Sequence, residues 1–333
     1  MVKKKVVVVG GGTGTHTVLR GLRRFANTLD IAAVVSMADS GGSTGRLRDE
    51  FGLLPIGDVR NALTALAAEG DKYDSLMRQL FLYRFDKGQG LQGHNFGNLL
   101  LTALTDILGD EVQAIDAASH LLKVSGRVLP VTTNNSQLVA LYEDGSVIEG
   151  ESQIEDSTAH LSQARIKALS LNPKSYISGP AAQAIMEADM IVLGPGDLYT
   201  SVLANCIVTG FTEALKSSQA TVVYVCNLMT CRGQTIGMHA SEHIEEIRKY
   251  IGRWPDVALV NNSIFDSELL GRYQEEGAHP VLNNCVGDTC TIAALPLVGQ
   301  EEIILSSGDV VKRSLIRHDS DFLARTLVSL MPN

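Results

Sequence analysis

The sequence predicts an α/β fold in which a parallel sheet is flanked by helices and carries a small antiparallel β insertion. The first observation is that short β-branched runs alternate with longer helical patterns, which is typical of a parallel sheet with crossover helices. The second is that each run is bounded by Gly, Pro, Asn or Asp, which is typical of a buried strand that enters a functional loop. The third is a region of strand-like alternation around Asp144 and Gly145, a pair typical of an antiparallel hairpin.

The elements of the parallel sheet follow from these patterns in order. Apolar, mostly β-branched runs predict strands at Val6 to Val9, Ile31 to Met37, Met190 to Leu193, Thr221 to Cys226 and Val257 to Val260. Apolar residues at helical spacing predict helices at Thr15 to Phe25, Val59 to Ala68, Asn98 to Leu108, Ala181 to Ala188 and Ser241 to Ile251. We expect Arg23 to lie on the solvent side of the first helix.

The chain is long enough for one large α/β unit with an insertion, since it has 333 residues of which 45% are apolar. We expect residues 1–127 and 179–333 to form one nucleotide-binding α/β domain. The region from 128 to 178 surrounds the hairpin signal, and we expect a β-rich insertion or edge subdomain there.

Charge and composition exclude several classes of partner. A formal net charge of −9 argues against a general affinity for nucleic acid, whose phosphates the protein would repel. The valine run that follows Lys3 to Lys5 is too short for a signal-peptide core or a membrane span, so we expect a cytoplasmic protein. The 5 cysteines form no pattern typical of a disulfide framework or a zinc site, and we expect buried or free thiols.

The first candidate site is the glycine-rich turn after the first strand. Glycines let the backbone approach a ligand closely, and the helix that follows directs free N–H groups and its positive dipole end at the same place. A dinucleotide fingerprint would have glycine where Thr15 stands, and the lysine of a P-loop is absent, so the kind of phosphate ligand stays open. A merely tight turn is the alternative. The predicted phosphate-binding residues are Gly10, Gly11, Gly12, Thr13, Gly14 and Thr15.

A second loop, rich in Gly and Ser, comes directly after the second strand. One acid at this point would bind a ribose in a dinucleotide fold, but a whole glycine loop is more than a ribose needs. Its hydroxyls, bare backbone and guanidinium groups suit phosphate, while a solvated loop is the alternative. The predicted binding residues are Asp39, Ser40, Gly41, Gly42, Ser43, Thr44, Gly45 and Arg46.

Two further loops also precede helices in the N-terminal half. In the third loop, Asp58 is either the N-cap of the next helix or a site residue. Arg60 and Asn61 fall in the first turn of that helix, where a positive charge is unfavourable with the helix dipole unless an anion lies near. In the fourth, His94 lies with Asn95 and Asn98 between two glycines, so ligand binding and helix capping both stay open.

A fifth loop follows the strand at Met190 to Leu193, and the next strand ends at an asparagine that is placed to bind a base or a sugar hydroxyl. The residues predicted to bind here are Gly194, Gly196, Tyr199, Thr200 and Asn227. Because parallel strands end at the same edge of a sheet, we expect all five loops to meet at one ligand site.

This set of loops resembles the gluconeogenesis factor (YvcK-like) family, a branch of the CofD-like or 2-phospho-L-lactate transferase superfamily. The resemblance rests on GGGTG, DSGGSTGRLR, GDVRN, GHNFGNLLL, SGRVLPVT, GPGDLYTS and the late RYQEEGA and RHDS. It implies a Rossmann-like fold and a cytoplasmic protein that binds a nucleotide sugar of the UDP-N-acetylglucosamine type. It also implies a role in cell-wall and cell-shape homeostasis during gluconeogenic growth, and it marks Tyr273 and Arg317 as candidate nucleotide-sugar contacts.

The sequence leaves open whether a reaction takes place. Ser40 stands where the family commonly has a second acid, which would weaken magnesium-dependent chemistry. The candidates for catalysis are Asp39, Asp58 and His94, with magnesium on Asp39 and Asp58.

Three functions therefore compete. The first is a nucleotide-sugar-binding regulator without turnover, and the second is a magnesium-dependent transferase that moves a phospholactyl group from a guanosine diphosphate carrier. The third is an NAD(P)-dependent oxidoreductase, which would not explain the presence of the second glycine-rich loop. We expect a small-molecule nucleotide sugar as ligand, a homodimer or higher oligomer, and cell-wall or metabolic enzymes as protein partners.

Overall fold

The computed structural model describes residues 2–156, 164–275, 277–287, 289–299 and 315–332. Part of the predicted insertion, 157–163, and part of the predicted α/β domain, 300–314, lie outside the described residues.

The centre of the fold is a seven-stranded sheet in the order β10-β9-β8-β7-β1-β2-β3, in which every pair of neighbours is parallel. Its strands are β1 (Lys4–Gly10), β2 (Leu29–Val35), β3 (Arg127–Pro130), β7 (Met190–Leu193), β8 (Thr221–Val225), β9 (Val257–Asn261) and β10 (Thr291–Leu295). The predicted α/β fold with a parallel sheet is confirmed. The sequence patterns placed Val128 to Pro130 in the antiparallel insertion, whereas the structure puts them in β3, an edge strand of the parallel sheet that ends in proline, a residue that edge positions tolerate. They did not indicate β10.

A second sheet of three strands has the order β5-β4-β6 and is antiparallel. Its strands are β4 (Gln137–Tyr142), β5 (Val147–Glu149) and β6 (Ile166–Asn172). Leu138, Ala140 and Tyr142 of β4 are buried while the residues between them are partly exposed, which is the expected period of two. The turn before β5 is closed by the Gly145 N–H, which donates to the Tyr142 carbonyl over 3.1 Å. The predicted small antiparallel insertion is therefore confirmed.

Helices connect the strands and cover the sheet. They are α1 (Gly12–Leu22), α2 (Gly42–Phe51), α3 (Gly57–Leu66), α4 (Lys72–Leu82), α5 (Phe96–Leu108), α6 (Glu111–Leu121), α7 (Glu151–Glu155), α8 (Gly179–Met186), α9 (Ala204–Cys206), α10 (Phe211–Ser217), α11 (Ala240–Ile251), α12 (Ser267–Glu275) and α13 (Ser320–Ser329). Residues Val6 to Val9 of β1 are all buried, and α1 packs against α3 and α13. Within the described parts of the chain, no helix is long and apolar enough to cross a bilayer.

Helix α1 begins three residues before its predicted start. Gly11 is its N-cap and has no side chain that could accept a backbone N–H. The carboxylate of Asp58, a residue far along the chain, accepts the Gly12 N–H instead.

Arg23 lies against the core, contrary to the solvent-exposed position expected for it. Its side chain is 7% exposed, donates to the Ala67 carbonyl over 2.5 Å and forms an ion pair with Glu69. The expectation was wrong because a guanidinium can reach a backbone carbonyl and an acid beyond the end of its own helix.

The order of strands places a topological switch point between β1 and β7. The chain runs outward from β1 through β2 to β3, then returns to the other side of β1 and continues outward from β7 to β10. The connections after β1 and β7 therefore leave neighbouring strands in opposite directions, and a crevice opens at their carboxyl ends.

Candidate functional site

The glycine-rich turn after β1 is shaped by two close approaches of the protein itself. A Cβ atom on Gly11 would collide with the carboxylate of Asp58, which accepts the Gly12 N–H over 2.7 Å. A Cβ atom on Gly14 would collide with the carbonyl of Pro195 in the loop after β7. Glycine is therefore needed here for packing between loops, in addition to any approach of a ligand.

Thr13 and Thr15 occupy the first turn of α1. Thr13 is exposed, while Thr15 is 2% exposed and its hydroxyl lies against Gly10. The Thr15 Oγ1 atom has no hydrogen-bond partner within the described chain. Its predicted contact with phosphate remains a prediction.

The loop after β2 and the loop before α5 lie together. Ser43 Oγ lies 3.2 Å from His94 Nδ1 and accepts the Asn95 N–H over 3.2 Å. The amide nitrogen of Asn98 donates to Thr44 Oγ1 over 3.3 Å. Two of the loops singled out from the sequence are thus in direct contact.

Asp39 lies in the loop between β2 and α2. Its carboxylate accepts the Gly41 N–H over 3.0 Å, and a Cβ atom on Gly57 would collide with its other oxygen. Burial raises the pKa of Asp39, while the hydrogen bonds from Gly41 and Thr44 lower it. The second loop therefore encloses the carboxyl group of Asp39. Gly42 and Gly45 lie after this loop, in the first turn of α2.

Asp58 links the first and third loops and does not cap its own helix. The N-cap of α3 is Ile56, and the Asp58 carboxylate instead accepts the Gly12 N–H. Burial raises the pKa of Asp58 to about 7, and the neighbouring charge of Asp39 adds to this shift. The two acids proposed from the sequence for magnesium are therefore close enough to affect each other.

Other polar residues of these loops also have protein contacts. Arg60 Nη2 donates to Asn61 Oδ1 over 2.7 Å. Arg46 Nη2 donates to the Gln92 carbonyl over 3.0 Å, so this guanidinium lies against the fourth loop. Burial lowers the pKa of His94, which keeps its ring neutral near pH 7.

The loop after β7 contributes backbone and side chains from the other side of the switch point. Gly194 and Gly196 form its turn, and the amide nitrogen of Asn227 donates to the Gly196 carbonyl over 2.7 Å. Thr200 Oγ1 donates to Glu155 Oε1 over 2.8 Å. Tyr199, by contrast, lines a cavity of about 520 Å³ together with residues of α11 and with Cys285, Thr289 and Ile292.

The insertion supplies two acids that the sequence interpretation missed. Glu151 Oε2 accepts the Ser40 N–H over 3.2 Å, and Ser40 Oγ lies 3.0 Å from Ser152 Oγ. Burial raises the pKa of Glu151 well above its ordinary value, and burial together with Asp197 raises the pKa of Glu155 to about 8. A signal was present, since acids four residues apart share one face of a helix.

Five acids with raised pKa values define the electrostatics of the crevice. They come from three loops and the insertion, and they are Asp39, Asp58, Glu151, Glu155 and Asp197. Burial is the main cause of the raised pKa in each of them. A phosphate beside them would be repelled unless protons or a cation reduced their charge.

Magnesium is compatible with these donors. The described residues contain no group of three or more His, Cys, Asp or Glu side chains arranged around one metal position. Mg²⁺ is usually held by one or two carboxylates together with waters and substrate phosphates, so it does not need such a group. Asp39 and Asp58 together supply the two carboxylates that this kind of magnesium site uses.

Tyr273 is connected to Arg317 through the backbone of the segment just before α13. The Tyr273 hydroxyl accepts the N–H groups of Leu315 and Ile316 over 2.8 Å and 3.0 Å, so it holds the backbone just before Arg317. The next residue, His318, contacts the Cys226 carbonyl over 3.1 Å, directly beside Asn227.

Positive charge surrounds His16, which the sequence interpretation did not single out. Burial is the main reason why the pKa of His16 falls to about 3, and the charges of Arg78, Arg20 and Arg317 lower it further. Arg20 lies in the last turn of α1 and Arg317 lies just before α13, so positive charge lies along this helix.

The sheet order and the meeting of loops at the β1/β7 switch point define a Rossmann-like α/β protein with a loop-built site at the carboxyl edge. The chain belongs to the CofD family, whose model, described as "2-phospho-L-lactate transferase CofD", matches residues 6–296. It falls in the gluconeogenesis factor (YvcK-like) branch, as the motifs predicted.

Relatives of that branch match almost the whole chain. A "Putative gluconeogenesis factor" of Nostoc sp. is 42% identical over 97% of this chain and 68% of its own length. The "Gluconeogenesis factor" of Bacillus subtilis is 39% identical over 99% of this chain and 98% of its own. A crystal structure of a UPF0052 family protein from Bacillus halodurans is 38% identical, with a TM-score of 0.87 over 98% of this chain and 99% of that one.

Proposed function

We propose that the protein is a regulatory factor that binds a nucleotide sugar of the UDP-N-acetylglucosamine type in the crevice between β1 and β7. It acts in the cytoplasm, where it maintains cell shape and cell wall during gluconeogenic growth, through cell-wall or metabolic enzymes as partners. The observation that carries the proposal is the convergence of the predicted loops at the switch point, where doubly wound α/β folds bind nucleotides.

Charge distribution supports a diphosphate ligand. Arg317, whose charge lowers the pKa of His16, suits phosphate oxygens, while the acids of the loops suit a cation that phosphates share. We propose that Asp39 and Asp58 hold Mg²⁺ in the bound state. The ion would neutralise charge between these carboxylates and the diphosphate.

The acid and base candidates favour binding over turnover. His94 is buried and its ring contacts Ser43, so the protein holds this candidate base against one of its own hydroxyl groups, and Asp58 accepts a backbone N–H. The Bacillus subtilis relative is called a gluconeogenesis factor, a name that describes no reaction.

A second candidate function is transfer of a phospholactyl group from a guanosine diphosphate carrier to a deazaflavin alcohol. The pair of buried acids beside glycine loops favours it, as does the description of the matching family model. Magnesium-dependent transfer that disappears in Asp39→Asn would establish this function in place of the first.

Thermal unfolding with three ligands tests the proposal. UDP-N-acetylglucosamine at about 100 times its dissociation constant adds about 2.7 kcal/mol to the free energy of unfolding and should raise the midpoint by several degrees. GDP and NADP at the same concentration distinguish the transferase and the oxidoreductase. The absence of a shift with any uridine nucleotide would contradict nucleotide-sugar binding.

A further inference from the structure

We infer that Gln234, Asn227 and Glu155, grouped around the segment from Gly196 to Thr200, form the subsite that binds the sugar of the nucleotide sugar. The inference rests on the proposed function and extends it to named residues. The chemical class is a sugar that offers hydroxyl and N–H donors, such as an N-acetylhexosamine.

Gln234 is the clearest sign of a missing partner. Its side chain is buried, with only 1% of the residue exposed, and its amide nitrogen has only long contacts, 3.5 Å to Thr200 Oγ1 and 3.7 Å to Cys231 Sγ. The Oε1 atom has no hydrogen-bond partner among the residues that the structure describes. A buried amide oxygen without a donor is unfavourable, so a ligand that supplies the donor explains its presence.

Asn227 repeats the same arrangement at the other end of the segment. Its amide nitrogen donates to the Gly196 carbonyl over 2.7 Å, which fixes the side chain. Its Oδ1 atom is buried and, in the described part of the chain, accepts no hydrogen bond. Gln234 and Asn227 therefore both contact the segment from Gly196 to Thr200 through their amide nitrogens, and both amide oxygens lack a hydrogen-bond donor among the described residues.

Glu155 completes the group from the side of the insertion. Thr200 Oγ1 donates to Glu155 Oε1 over 2.8 Å, and Glu155 also shares a side-chain hydrogen bond with Glu151, so its carboxyl group lies beside Thr200 at the edge of the group. A sugar hydroxyl can both donate and accept, so it matches a carboxyl group in either protonation state.

The required donors decide which part of the ligand binds here. Phosphate oxygens only accept hydrogen bonds and would leave both amide oxygens unsatisfied. Sugar hydroxyls and an acetamido N–H donate. Because Pro195 packs directly on Gly14, this group adjoins the glycine-rich turn, and one diphosphate sugar can span both.

The test compares two ligands and two matched variants by calorimetry in MgCl₂. Gln234→Leu removes the amide at similar volume, and we expect UDP-N-acetylglucosamine to bind about three- to tenfold more weakly while UDP changes less than twofold. Gln183→Leu is the control, since Gln183 lies on the exposed face of α8 and contacts only Glu187 in the described structure. It should change neither affinity.

Thermal unfolding without ligand separates binding from structure. Removing an unsatisfied buried amide should leave the unfolding midpoint of Gln234→Leu unchanged or higher, whereas a structural role would lower it. Equal losses for UDP and UDP-N-acetylglucosamine, or no loss for either, would overturn the sugar subsite while leaving nucleotide binding intact.

Two further results would also overturn it. If MgCl₂ alone raises the wild-type midpoint and Gln234→Leu removes that rise, a cation occupies the group. If the wild type binds neither UDP nor UDP-N-acetylglucosamine, the proposed function fails and the subsite with it.

Discussion

At the scale of single residues, the glycine turn and Asp58 are one unit although 46 positions separate the Gly12 and Asp58 of their hydrogen bond. The carboxylate takes the place at the start of α1 that an anionic ligand takes in many α/β proteins. Burial of this acid costs free energy when it is charged, and the Gly12 N–H offsets part of that cost. The turn is therefore sensitive both to added atoms and to pH.

Gly11→Ala tests the close approach. Its methyl group would collide with the Asp58 carboxylate, so we expect the free energy of unfolding to fall by about 1–3 kcal/mol in urea denaturation. Gly179→Ala is the control, because a Cβ atom there meets nothing within 4 Å, and it should change stability by less than about 0.5 kcal/mol. Equal stability of the two variants would show that Asp58 moves aside freely.

Asp58 also gives a pH dependence. Its pKa is about 7 in the folded protein and near 3.8 when unfolded, so the folded state binds more protons between these values. The stabilisation from the protonated group is complete below about pH 4 and is lost as pH rises through 7. Relative to Asp58→Asn, the wild type should lose stability from pH 5 to pH 8, measured by urea denaturation. Parallel pH profiles would contradict a raised pKa.

At the scale of elements, α5 and α7 bring their starts to the loops. Helix α5 is capped by Asn95, whose Oδ1 accepts the Asn98 N–H over 3.2 Å, and α7 is docked on the second loop through Ser40 and Glu151. Asn95 was predicted as a ligand-binding residue, and the structure gives it a capping contact. The insertion, through α7, forms one wall of the acid group.

Asn95→Ala should therefore lower stability by about 0.5–2 kcal/mol through loss of the N-cap. Asn95→Asp keeps an acceptor oxygen and should retain most of the wild-type stability in urea denaturation. If Asp also destabilises by the same amount, the cap does not explain the role of Asn95.

At the scale of the whole molecule, negative charge dominates. The protein carries a formal net charge of −9, and acids with raised pKa values gather on the side of the second loop and the insertion. Long-range repulsion and these acids both oppose a diphosphate, so a divalent cation should be coupled to nucleotide binding.

We expect the affinity of the wild type for UDP to fall about tenfold when EDTA replaces MgCl₂, a change of about 1.4 kcal/mol. Calorimetry of Asp39→Asn should show a smaller dependence on magnesium, because one carboxylate that needs neutralisation is gone. Asp106→Asn, on the exposed side of α5, should keep the wild-type dependence. Affinity that is independent of magnesium in the wild type would contradict the coupling.

The sequence by itself determined the parallel sheet, the hairpin and the loops at the carboxyl edge. These features depend on local periodicity and on Gly and Asp positions, and parallel strands then bring their ends together without further information. The motifs in those loops also determined the family.

Only the tertiary structure decided which side chains share a buried contact. It paired Asp58 with Gly12, buried Arg23, added Glu151 and Glu155 from the insertion, and left the amide oxygen of Gln234 without a donor. These outcomes depend on how distant elements pack and on how each buried polar atom is satisfied, which local patterns do not encode.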